Sequence, residues 1–356
     1  MKIIQLLRNF TYGDAIGNDA LAIKTALTKM GYKNQIFAEY IDRRFPKNTA
    51  YPTNRLLTID HDDVVLYHLS TGTDLNYTFA KLPCRKIVRY HNITPPQFFC
   101  GYSREAEQSC SEGLRATEKI ANKADYCLAV SEFNKQDLIR MGYTQRIDVL
   151  PILIPFSDYD KSPDLNTIKK YSDGKINFLF TGRVAPNKKH EDIIQLFYYY
   201  KRYINRNSRL FLVGGYANTD RYYQKLMQYV KDLRLRDVIF TGHIKFSQIL
   251  SYYRLADLYV CMSEHEGFCV PLVEAMCFKK PILAYASTAV PETLGGGGVL
   301  LHEKDPQLST LMAERILKDN ELCAQIAKNQ QDRLQFFSYD STYTLLKKYI
   351  TEFVEG

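Results

Sequence analysis

Short apolar runs alternate along the chain with longer stretches in which apolar positions recur at helical spacing. Residues 2–7 form the first run and read as a strand. Residues 9–18 are polar and read as a loop. Ala20, Ile23, Ala26 and Leu27 then place residues 19–30 on a helix that Gly31 stops. Further strands are expected at 34–37, 63–68, 86–90, 126–130 and 147–150. Helices are expected over 105–123 and 132–141, the second opened by Ser131 as N-cap and closed by Gly142. Residues 151–173 break the rhythm, with Pro151, Pro155 and Pro163 among aspartates and serines, and read as a linker with a short polar lead-in. The rhythm then resumes. Strands are expected at 176–180, 209–213, 238–240, 258–261 and 281–285, helices over 191–204, 220–233 and 247–254, and helical spacing runs from 306 to 353.

Strands alternating with helices imply parallel sheets covered by helices on both faces, so the fold class is α/β with two doubly wound halves. A length of 356 residues, at roughly 100–200 residues per domain, also favours two domains. The expected boundaries are 1–155 and 156–336.

Composition changes this picture little. The chain is 46% hydrophobic and 24% charged, enough for a core in each half. A net charge of +8 suits an anionic ligand or an anionic membrane surface, and equally an ordinary solvated basic face. Lysines and arginines are scattered among acids, with no zinc-finger spacing, no aromatic RNA-binding strand and no basic helix, so nucleic acid is not expected as a partner. The eight cysteines form no C-x-x-C pair, and several lie in apolar runs. The first apolar run is too short for a signal peptide, and no 18-residue apolar stretch exists. Reduced thiols and a cytoplasmic location are therefore expected.

In doubly wound sheets ligands bind outside the carboxyl ends of the strands. The loop after 176–180 carries Gly182, Arg183 and Lys188 just before a helix start. Unpaired N–H groups and the helix dipole add to the two cations there, so the loop reads either as a diphosphate site or as a solvated basic loop. The loop after 258–261 carries Glu266 and Gly267 and leads into a helix bearing Glu274. Carboxylates at this spacing can each accept two hydroxyls of a sugar or ribose diol, or simply complement a helix N-terminus. In the first half, His68 and His91 each end a strand on the same side. Asp60-His61-Asp62-Asp63 reads as a polar turn rather than a metal cluster, and residues 295–298 read as a glycine turn.

Residues 266–276, E-G-F-C-V-P-L-V-E-A-M, resemble the E-x7-E motif of GT-B-fold retaining glycosyltransferases of family 4. Four more segments fit that family in order: Gly182-Arg183 with Lys188, residues 238–244 (V-I-F-T-G-H-I), Ala256-Asp257, and Val290-Pro291-Glu292-Thr293. The resemblance implies two Rossmann-like domains facing across a cleft, with a C-terminal helix at about 337–356 packed back onto the first. Arg183, Lys188 and Gly182 would hold the donor diphosphate, Glu274 the ribose and Glu266 the transferred sugar. Gly267 and the amides of Phe268, Cys269 and Val270 would meet sugar and phosphate, and His243 and Ile244 the base. In the looser first half, Gly17 falls where the family has a glycine-rich turn, although the usual G-G-x-E-x-H form is absent. His91 matches the histidine at the reaction centre, and His68 is a lesser candidate for acceptor binding. His91, Arg183, Lys188 and Glu266 are the expected catalytic set. Cys269 stands where many members have glycine.

The implied activity moves a sugar, with retention, from a GDP-, UDP-, dTDP- or ADP-sugar to a saccharide or lipid-linked saccharide acceptor in surface-glycan synthesis, on the cytoplasmic membrane face. No metal or other cofactor is expected. The rival readings are a non-catalytic sugar-nucleotide-binding subunit and a GT-B epimerase or phosphorylase.

Overall fold

The computed structural model describes residues 1–56, 59–217 and 220–356. The chain forms two compact units. The first comprises Met1–Gln97, Glu105–Pro155 and Phe336–Gly356, and the second Phe98–Arg104 and Phe156–Gln335.

Among the described residues the first unit holds a parallel sheet built from β1 (Ile3–Phe10), β2 (Asn34–Ile41), β3 (Tyr51–Pro52), β4 (Val64–Leu69), β5 (Arg85–Tyr90), β6 (Tyr126–Ala129) and β7 (Ile147–Val149), in the order β3-β2-β1-β4-β5-β6-β7. The side-chain period of two sends neighbouring residues to opposite faces. Ile3, Val64 and Leu66 pack with Ile23, Leu27, Leu346 and Ile350. Ile4, Val65 and Tyr67 pack with Phe79, Ile120 and Leu138. Both faces are dry, which is why the strands read as unbroken apolar runs.

The second unit repeats this plan with β8 (Ile176–Thr181), β9 (Ser208–Val213), β10 (Val238–Phe240), β11 (Leu258–Cys261), β12 (Ile282–Tyr285) and β13 (Val299–Leu301), ordered β10-β9-β8-β11-β12-β13. Its residues Phe98–Arg104 come from the first half of the sequence. Tyr102 meets Tyr222 edge-on, and its hydroxyl accepts from Lys225 Nζ at 2.8 Å. Among the described residues no helix is long and apolar enough to cross a membrane.

Three local expectations need correcting. Residues 15–18 belong to the first helix, Ala15–Lys29, because the Asp14 carboxylate accepts from the amides of Ile16 and Gly17 and caps it a turn early. Gly17 thus lies in a helical first turn, where a Cβ would come within 2.7 Å of the Thr11 carbonyl oxygen. The expected linker contains a helix, Leu165–Tyr171, capped by Asp164. The helix expected over 191–204 is α only over His190–Tyr199 and closes with a π turn, Tyr200–Ile204.

Asp19 and Arg89 are both fully buried and pair at 3.0 Å. Asp19 also accepts from the Leu153 amide at 2.9 Å, and Arg89 donates to the carbonyls of Leu150 and Pro151. One ion pair therefore ties the first helix, β5 and residues 150–153 after β7. Removing one partner strands the other charge in a dry interior. We expect Arg89→Leu to destabilise the first unit by about 3–5 kcal/mol, with part of the loss recovered by adding Asp19→Leu. Chemical denaturation of both variants tests this, and an unchanged midpoint for the single variant would refute it.

Candidate functional site

Strand order reverses at β1/β4 in the first sheet and at β8/β11 in the second. A crevice opens at such a reversal because the two adjoining loops leave in opposite directions. In the second unit those loops are 182–189 and 262–269. Glu264 donates its amide to the Asn187 carbonyl at 2.8 Å, and Asn187 Nδ2 donates to the His265 carbonyl at 3.0 Å. Between these backbone ties Lys188 Nζ meets both oxygens of Glu266 at 2.6 Å. Burial disfavours the Lys188 charge, yet the Glu266 carboxylate outweighs it and holds the ammonium above its usual range. Glu266 is itself buried, and its amide donates to Thr288 Oγ1 at 2.9 Å.

Gly182 lies at the start of the first loop, where Gly214 crosses it so closely that a Cβ on Gly214 would overlap the Gly182 carbonyl. Arg183 is exposed and has no ion-pair partner among the described residues. Phe268 and Cys269 are buried and lead into the helix Val270–Cys277. Cys269 occupies the helix N-cap with φ 71° and ψ 62°, the left-handed conformation in which glycine is at ease. A cysteine here sits at a strain cost of about 1–2 kcal/mol. In the first turn the Leu272 amide donates to the Cys269 carbonyl at 3.0 Å, and Pro271 has no N–H. The ligand atoms of Cys261, Glu266 and Cys269 lie within 4.8 Å of one another. A hydrogen bond with Cys261, burial and the Glu266 charge all push the Cys269 thiol up.

Glu274 does not meet Glu266 in a pair. Its oxygens accept from Tyr253 at 2.6 Å and Tyr159 at 3.1 Å. Burial raises its carboxyl above the usual range, against the pull of the two hydroxyls. The Tyr253 hydroxyl also lies 2.6 Å from Thr181 Oγ1 at the end of β8. Ile244 packs on the core, and His243 is exposed beyond β10.

In the first unit the structure brings His68 and His91 together. Gln5 Nε2 donates to the Ala20 carbonyl at 3.1 Å, which turns Gln5 Oε1 toward His68 Nε2 at 2.9 Å. A carbonyl oxygen can only accept, so His68 carries its proton on Nε2. Its Nδ1 then accepts from His91 Nε2, 2.9 Å away. That leaves His91 Nδ1 as a bare acceptor, buried and without a hydrogen-bond partner. Both nitrogens of His68 are engaged, so any role it has in ligand binding runs through His91. Asp19 lies 3.7 Å from His91 Nε2, and Asp19, His68 and His91 form a second group of converging ligand atoms. Burial holds both imidazoles well below their ordinary range, helped for His68 by His91 and for His91 by Arg89.

Gln5, Asp19, Arg89, Tyr159 and Tyr253 were not among the expected site residues. The one visible signal was a charge inside an apolar strand, Arg89 in Lys86-Ile87-Val88-Arg89-Tyr90.

Residues 164–333 match the sequence model of the family Glycosyl transferases group 1. O-antigen chain mannosyltransferase B of Escherichia coli is 25% identical over 230 residues, covering 62% of this chain and 58% of its own, so the chain spans little more than half the length of that relative. Among solved structures, a sucrose-phosphate synthase from Thermosynechococcus elongatus superposes with a TM-score of 0.76 at 17% identity, covering 100% of both chains. Anabaena HepE, solved in complex with UDP-glucose, gives 0.75 at 19%, covering 99% of this chain and 100% of its own. At these identities the structural likenesses bear on the fold, two Rossmann-like domains of GT-B type.

Three buried imidazoles make stability depend on pH. His190, at the start of its helix, is pushed down to about 3 by burial and by the Lys188 charge, and neither ring nitrogen has a hydrogen-bond partner. With His68 and His91 also depressed, the unfolded chain takes up protons below about pH 6.5 that the folded chain refuses. Stability is therefore full above that pH and falls as pH drops toward the folded values, by up to about 1.4 kcal/mol per pH unit for each histidine. His190→Phe should flatten the slope by one proton, measured as denaturation midpoints between about pH 6.5 and 5. An unchanged slope would refute this.

Proposed function

We propose, from the match of residues 164–333 to the group 1 glycosyltransferases, that the chain transfers a sugar from a nucleotide-sugar donor to a saccharide acceptor with retention of configuration. The observation that carries the reading is the Lys188–Glu266 pair, half-buried at the lysine and buried at the glutamate, held at the β8/β11 reversal beside the start of Val270–Cys277.

The donor diphosphate lies against the start of Val270–Cys277 at the Val270 amide, with Arg183 and Lys188 as its cations. As the bond from the anomeric carbon to the diphosphate breaks, negative charge grows on the leaving oxygen, and these fixed donors stabilise it. Diphosphate binding draws Lys188 away from Glu266, which frees the carboxylate for the hydroxyls of the transferred sugar. Glu274 takes the ribose hydroxyls, with Tyr253 and Tyr159 orienting it. His243 and Ile244 flank the base. His91 Nδ1 accepts a sugar hydroxyl. The acceptor oxygen attacks on the face from which the diphosphate leaves, and its proton passes to the leaving phosphate oxygen. No metal is needed in this scheme, since Arg183 and Lys188 meet the charge that grows on the leaving diphosphate. Mannosyltransferase B of O-antigen synthesis supports surface polysaccharide as the setting, with a lipid-linked acceptor at the cytoplasmic membrane face.

A thermal-shift screen against GDP-, UDP-, dTDP- and ADP-sugars should reveal one donor class that stabilises the protein by about 2.7 kcal/mol at 100 times its Kd. With that donor, Lys188→Ala should lower kcat by about 10²-fold or more. NMR of the product should show the donor's anomeric configuration. An inverted product sinks retention, and donor binding without turnover favours a non-catalytic subunit.

A further inference from the structure

Beyond the donor loops, the second unit has a cavity of about 600 Å³ near the opposite ends of its strands. The π turn Tyr200–Ile204 and Arg206 lead into the start of β9, and Arg234 and Arg236 lead into the start of β10. Arg202, Arg206, Arg234 and Arg236 line the cavity with Tyr198 and Tyr203, and no carboxylate is part of its wall. All four arginines are exposed, and none has an ion-pair partner among the described residues. The Arg202 guanidinium lies over the rings of Tyr198 and Tyr203, at 6.0 and 5.7 Å.

The fifth cation of the wall, Lys201, is already committed. It donates to the carbonyls of Arg206 and Ser208 at 2.9 and 2.7 Å and to Asp237 at 3.0 Å. Asp237 is shared with Lys175 at 2.7 Å, so this carboxylate is already held by two lysines. Lys201 thus anchors the Arg206 backbone and leaves the four guanidiniums to the space in front.

The backbone at this place is also irregular. A π turn closes the helix His190–Tyr199, and Arg234 follows the cap of the helix Arg221–Asp232 with φ 50°. A left-handed residue other than glycine costs about 1–2 kcal/mol. Both features bring arginines to the cavity. Four like charges repel one another when nothing lies among them, and a multiply charged oxyanion relieves this. The planar fork of arginine fits paired phosphate oxygens, and several forks around one cavity suit a group that presents three or four oxygens.

We propose that this cavity is a second anion site, distinct from the donor loops, that binds a phosphate group. The group comes either from an anionic phospholipid headgroup or from a soluble diphosphate. Tyr203, exposed at the rim, would lie against the headgroup region in the first case.

The chain has no tryptophan, so Tyr203→Trp places a single indole at the cavity rim and reports local occupancy without a signal from the donor loops. This variant is titrated with inorganic pyrophosphate, with vesicles of phosphatidylcholine and phosphatidylglycerol, and with phosphatidylcholine vesicles alone. A saturable emission change with pyrophosphate or with the anionic vesicles is expected. Adding Arg202→Gln, Arg206→Gln, Arg234→Gln and Arg236→Gln should weaken it tenfold or more and leave the thermal midpoint in place. A response to anionic vesicles alone assigns the headgroup, and a response to pyrophosphate alone assigns the soluble ligand. A response to both means that the phosphate by itself is recognised. No response to either, equal response to neutral vesicles, or an unweakened response in the four-arginine variant would overturn the proposal.

Discussion

A parallel sheet that must be covered on both faces cannot be wound in one direction. Crossovers have one hand, so helices reach the second face only if the chain returns to the middle of the sheet and continues the other way. Both units meet this demand, at β1/β4 and at β8/β11. Every group assigned to chemistry depends on that return. The second reversal sets the loops 182–189 and 262–269 side by side and makes the Lys188–Glu266 contact available. The first puts β1 beside β4, so that Gln5, from one strand, reaches His68, from the other.

Given that frame, the interior is kept workable by matching each buried polar group. Arg89 answers Asp19, and Lys188 answers Glu266. Tyrosine hydroxyls serve the same purpose: Tyr253 and Tyr159 on Glu274, Tyr90 on Asp137, and Tyr126 on Asp148. A phenol supplies one donor and a large apolar surface, so it can satisfy a carboxylate without adding a second charge. Some groups escape the matching: His91 Nδ1 and both ring nitrogens of His190 are buried without a hydrogen-bond partner.

The strands were legible because burial on both faces writes apolar runs directly into the sequence, as in Val64–Leu69. The loops after β8 and β11 were legible because an ordered series of segments resembles one family. Helix starts and interruptions were less so. The Asp14 cap lies among polar residues that read as loop, and nothing in Tyr200–Ile204 distinguishes a π turn from a helix end. Partner choice was not legible at all. Tyr252 and Tyr253 are neighbours of the same type, and only the packed helix decides which hydroxyl meets Glu274. At Cys269 the residue type argued against a left-handed backbone, and the close turn into the next helix prevailed.

The final helix, Tyr339–Glu355, belongs to the first unit, where Leu346 and Ile350 fill the core against Ile3 and Ile23. This has a consequence for synthesis on the ribosome. The sheet of the first unit emerges early, but one of its faces, covered in part by Ile23 and Leu27, lacks Leu346 and Ile350 until Tyr339–Glu355 has been made. The second unit, nearly contiguous in sequence, is complete before then. The unit whose translation begins first is thus completed after the other, and the part of its core that Leu346 and Ile350 fill stays open in the meantime.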